Sequence, residues 1–175
     1  MANQDPKTLA ADAAKVYQEG DFESAARLFG EAASAFQEEN NALDAAEMKN
    51  NQSVAFLQAG DAQASFEAAR GTPEVFFVAG DLRRTGMARS NEATALESTG
   101  RLDEAIQAYR QAADDLEKAG EDQLRAAVMQ AVAGIQLRKW KLMDALLAMH
   151  IGLSGVKQPT LKQKILLGML KFKAW

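Results

Sequence analysis

Apolar and small side chains recur at i, i+3, i+4 and i+7 through most of the chain. Over 21–38 they are Phe22, Ala25, Ala26, Phe29, Ala32, Ala33 and Phe36; over 101–118 they are Leu102, Ala105, Ile106, Tyr109, Ala112, Ala113 and Leu116. This period places a single apolar stripe on each helix, and Ala, Glu, Gln, Arg and Leu supply the propensity. Alternating strand patterns are missing. The helices also stop on a beat. Gly20-Asp21, Gly60-Asp61 and Gly100-Arg101 recur every 40 residues, with Trp140-Lys141 in the fourth place, and Asn40, Gly80 and Gly120 fall between them. Gly and Asn accept the left-handed backbone that follows a helix end. A unit of 20 residues leaves room for one helix and a short turn, so successive helices must pack antiparallel as hairpins.

Four hairpins are expected, at 8–19 with 22–39, 43–59 with 62–79, 82–99 with 102–119 and 122–139 with 142–153, followed by a helix from about Leu161 to Lys173. This makes residues 1–156 a helical-repeat domain and 157–175 a basic amphipathic carboxyl-terminal helix. The second hairpin is irregular. Gly71-Thr72-Pro73 falls inside its second helix, and Pro removes a backbone donor and clashes with the preceding turn. A break near Thr72 is expected, read either as a kink absorbed by packing or as a hinge that widens the adjoining groove.

Counted from the turn Gly, the second helices carry a large, small, large, small code. It is Phe22, Ala25, Phe29, Ala32 in the first unit, Leu102, Ala105, Tyr109, Ala112 in the third and Leu142, Ala145, Met149, Gly152 in the fourth. The small positions admit a close helix crossing while the large ones fill the groove between neighbours. This code and its turn Gly resemble the tetratricopeptide repeat over residues 8–153. The departures are a 40-residue period, no Pro closing the unit, and a weak second unit reading Ala62, Ser65, Ala69, Thr72. HEAT-like repeats match the length without the turn code. Units of this length are similar to those of kinesin light chain, spindle-orientation adaptors and soluble NSF attachment proteins, which the code does not separate. The resemblance implies an all-α, right-handed α-α superhelix of about four hairpins plus a capping helix.

Composition narrows the chemistry. The chain has no Cys and one His, so Cys–His pairs and multi-His metal sites are excluded by count, and a Ser–His–Asp triad is not expected. Neither a phosphate-binding G-x-x-x-x-G-K-[ST] loop nor a G-x-G-x-x-G turn is present. His150 and the many carboxylates read as helix-surface groups. An enzyme is not expected, nor is a cofactor or a metal. The amino terminus lacks the basic and apolar regions of a secretory signal, and no stretch has the roughly 20 apolar residues of a membrane span, so a cytoplasmic protein is expected.

The resemblance instead implies binding, with the first helices of successive hairpins lining a concave groove. By register, its residues are Glu47, Asn50, Asn51, Val54 and Leu57 on the second hairpin, Met87, Ser90, Asn91, Thr94 and Glu97 on the third, and Gln130 on the fourth. Asn51 and Asn91 hold equivalent places, and side-chain amides can grip a peptide main chain by donating and accepting at once. The expected partner is a peptide or a helix segment of another protein. Some members of the family clamp a terminal carboxylate with Lys, Asn and Arg. Here Ala10, Ala14, Met87 and Asn91 stand at the matching places, so only Asn51 fits and the pairing cations are missing.

Charge separates the carboxyl terminus from the rest. The net charge of −4 divides into −11 over residues 1–136 and +7 over 137–175, where Asp144 is the single acid. At 100° per residue, Leu161, Ile165, Met169, Phe172 and Trp175 form one stripe and Leu166, Leu167 and Leu170 a second. Lys162, Lys164, Lys171 and Lys173 lie between the stripes. A cap needs one apolar face, so the second stripe is available for self-association as a homo-oligomer or for an anionic membrane surface, with Lys162, Leu166, Leu167, Leu170, Lys171 and Lys173 as the contact. Nucleic acid is not expected, because the body is acidic.

Overall fold

A computed structural model describes residues 5–172, with side chains to residue 170. Its elements are α1 (Pro6–Gln18), α2 (Phe22–Glu38), α3 (Ala42–Gln58), α4 (Ala62–Ala69), α5 (Thr72–Val78), α6 (Leu82–Ser98), α7 (Leu102–Lys118), α8 (Asp122–Arg138), α9 (Leu142–Leu153) and α10 (Leu161–Phe172). No strand occurs among the described residues. Each helix packs chiefly on its neighbours in sequence, which gives a right-handed α-α solenoid of stacked hairpins. Among the described residues, no helix is long and apolar enough to cross a membrane. Lys173 and Trp175 lie outside the described residues, as does the side chain of Lys171.

The turns explain the beat. At the end of α1, the Asp21 amide donates to the Val16 carbonyl at 3.3 Å and the Gly20 amide to Tyr17 at 3.1 Å, a pairing that satisfies two of the helix's last carbonyls. Gly20 makes this turn at φ +87° without strain. Trp140 takes the same place after α8 at φ +59° with a side chain 95% exposed. The residue after each stop begins the next helix. Asp21, Asn41, Asp61 and Asp81 accept from the amides of Ser24, Asp44, Ala64 and Arg84, whereas Arg101, Glu121 and Lys141 make no such cap.

The break near Thr72 is present. Gly71 sits at φ +82° between α4 and α5, and the Thr72 hydroxyl donates to the Ala69 carbonyl at 2.8 Å, closing the bend internally. Phe76 of α5 is buried with Ala46 and Ala88, so packing holds the kink.

The core is layered along the solenoid. One apolar cluster joins α1, α2 and α3 around Phe29 and Phe36. Another joins α6 to α9 around Tyr109, Leu116, Val132 and Ile135. The second hairpin between them contributes a thin layer that includes buried Ser53, Ser65 and Thr72. Ser53 and Ser65 satisfy each other at 3.0 Å, as burial requires of hydroxyls without water.

Candidate functional site

The first helices α1, α3, α6 and α8 carry the face on which a groove is predicted. Helical spacing sets its middle: Asn50, Val54 and Leu57 follow one another on α3, and Met87, Asn91 and Thr94 on α6, all partly exposed. These helices are tied across hairpins by polar side chains. Arg84 Nη1 donates to Glu47 at 3.2 Å. Asn91 Nδ2 donates to Asn50 Oδ1 at 3.0 Å. Arg138 of α8 pairs with Glu97 of α6. Asn91 therefore meets Asn50 and not its register equivalent Asn51, whose side chain takes no part in these ties.

The Asn pair has unused capacity. One donor of Asn91 and the oxygen of Asn50 are engaged, which leaves the Asn91 Oδ1 and the Asn50 amide group able to accept and donate. Tyr109 of α7 reaches under α6, its hydroxyl 2.9 Å from Thr94 Oγ1 and donating to Glu97 at 3.1 Å. Burial pushes the Tyr109 phenol up to about 12, against a smaller opposing effect of the Thr94 hydrogen bond, so it remains a proton donor at neutral pH. The Thr94 hydroxyl, which has a single proton to give, is also 2.9 Å from the Ser90 carbonyl. Met87 is 37% exposed.

Arg84 and Arg138 belong to the site although the register does not name them. For Arg138 the available signal is spacing: Asn50 to Asn91 and Glu97 to Arg138 are each 41 residues apart, one unit plus one residue, whereas Glu47 to Arg84 is 37. Arg84 is further fixed by Asp81 at 2.6 Å and by the Phe76 ring, 5.0 Å from the guanidinium carbon. The Arg84 backbone amide, and then its guanidinium, hold the Asp81 carboxyl below its ordinary value. Also on α6, Glu92 is pushed up, first by burial and then by the Glu74 carboxylate, with Arg89, Arg101 and Arg70 opposing.

At the far end of this face, Gln130 is exposed on α8 and opens into a cavity of about 320 Å³ beneath α10, lined also by Ala126, Met149, Leu153 and Leu166. Gln123 anchors the start of α10 by donating to the Gln158 carbonyl at 3.0 Å and accepting from Gln163 at 3.1 Å. Of the residues predicted for membrane or oligomer contact, Leu166, Leu167 and Leu170 are half-buried and Lys162 is exposed. The stripe that faces out is Leu161, Ile165 and Met169. Among the described residues no group of three His, Asp or Glu is placed to hold a metal ion.

Stacked hairpins with a tied polar face define a tetratricopeptide-like helical-repeat protein. The family model for soluble NSF attachment protein, SNAP, matches residues 3–151, and the chain belongs to that family. The fold is similar to a crystal structure of a Podosopora anserina kinesin light chain-like protein with nearly identical TPR-like repeats. The TM-score is 0.74 at 12% identity, over 97% of this chain and 88% of that one. A variant of the same protein gives 0.53 at 12% identity, over 95% and 92%. No curated protein matches the chain.

Proposed function

We propose that the protein is a non-enzymatic, cytoplasmic adaptor that holds an extended peptide or a single helix of a partner protein along the face of α3, α6 and α8. The observation that carries this reading is the Asn91–Asn50 pair, which leaves the Asn91 Oδ1 to accept and the Asn50 amide group to donate at the middle of the face. An extended main chain presents the complementary donor and acceptor. Membership in a family described by attachment to another protein supports a protein ligand over a small molecule. The apolar cavity under α10 gives the same groove a pocket for a side chain of the bound segment.

Replacing Asn50 and Asn91 together by Ala tests the reading, with helicity followed by circular dichroism and partner capture by pull-down from lysate. Capture should weaken with helicity intact. Undiminished capture removes the groove as the binding site.

A further inference from the structure

The two apolar stripes of α10 have different fates. Gln163, Leu166, Leu167 and Leu170 are half-buried toward the solenoid, whereas Leu161, Ile165 and Met169 are 76%, 57% and 65% exposed. We propose that this outer face of α10 is a docking site for an anionic lipid surface.

Charge complementarity selects the occupant. On the helical wheel, Lys162 lies on one side of the exposed stripe and Lys164 on the other, both exposed. Neither they nor Lys157 just ahead of the helix enters an ion pair with any described acid, although lysines elsewhere, such as Lys139 with Asp103, do. From residue 145 to the end, the chain has five Lys and no Asp or Glu. A helix lying in the membrane interface needs this arrangement. The apolar stripe enters the boundary between headgroups and acyl chains, and flanking lysines extend their methylene stems along it to reach phosphate. The anchoring at Gln123 and the half-buried leucines hold α10 on the body while its outer stripe stays free. A second copy is the poorer occupant. Three side chains spaced over about 12 Å of one helix cover far less than the roughly 800 Å² per partner of a stable interface.

The test uses the full chain in flotation with phosphatidylcholine vesicles, with and without phosphatidylserine, at low and high salt. Binding should require phosphatidylserine and fall as salt rises. Ile165→Glu and Met169→Glu change exposed positions, so circular dichroism should be unaltered while flotation is lost. Lys162→Gln with Lys164→Gln should lower the partition coefficient about 30-fold. The proposal is overturned if the unaltered chain does not float with phosphatidylserine at low salt, or if Ile165→Glu floats as well as the parent. It is equally overturned if Ile165→Glu instead converts a dimer to a monomer on size exclusion with no vesicle binding by either, which would give the stripe to a second copy.

Discussion

The Asn91 side chain donates to the Asn50 oxygen at 3.0 Å, tying α6 to α3 across one unit of the solenoid. Both residues are half-buried, so the bond is shielded from water on one side and open to a ligand on the other. Single replacement of either by Ala should cost about 1 kcal/mol, and the double replacement should cost less than the sum, by a coupling of about 0.5–1 kcal/mol. Urea denaturation of the four chains measures it. Strict additivity would mean that the two amides do not interact in solution.

The Ser53–Ser65 pair predicts a sharper failure of additivity. Removing one hydroxyl leaves the other buried without a partner, which costs about 1–3 kcal/mol, whereas removing both should be nearly neutral. Thermal unfolding of Ser53→Ala, Ser65→Ala and the double variant should therefore place the double variant closest to the parent.

Close approach separates two helical glycines that look alike in sequence. A Cβ on Gly86 would stand 2.6 Å from Leu116 Cγ and 3.1 Å from the Ala112 carbonyl oxygen, whereas one on Gly134 would meet nothing within 4 Å. Gly86→Ala should destabilise, since overpacking of about 1–3 kcal/mol outweighs the helix-propensity gain of about 1 kcal/mol. Gly134→Ala should stabilise by about 0.5–1 kcal/mol. At Trp140, replacement by Gly removes the left-handed strain of a bulky residue and should raise the melting temperature, by about 1 kcal/mol of stability. The same melts decide all three.

Glu92 makes stability depend on pH in an unusual direction. Its folded pKa lies above the unfolded value, so the folded state binds the extra proton and stability declines as pH rises from the ordinary carboxylate value through the raised one. Glu92→Gln should be more stable than the parent at neutral pH, with the advantage shrinking to nothing in acid below the ordinary Glu range. Denaturation of both chains from about pH 3 to 7 checks the sign.

Much of the fold was legible in the chain because helix ends and helix faces are local matters. Gly20, Asn40, Gly60, Gly80, Gly100 and Gly120 all occupy left-handed turns, and the apolar stripes of α2 and α7 are the buried ones. Gly71-Thr72-Pro73 marked the bend between α4 and α5 for the same reason. The candidate face was legible only in part. Register alone located Asn50, Asn51 and Asn91 on adjoining helices, but which amide meets which depends on the offset between α3 and α6.

Helix positions, their antiparallel order and the repeat are readable along the chain alone, since these follow from backbone geometry and a period of 3.6. Tertiary structure decided the rest. It paired Asn91 with Asn50, brought Arg84 to Glu47 and Arg138 to Glu97, and chose which stripe of α10 stays outside. The physical reason is that two apolar stripes of similar composition compete for one inner surface, and only the shape of α8 and α9, with Gln123 holding the helix start, selects between them.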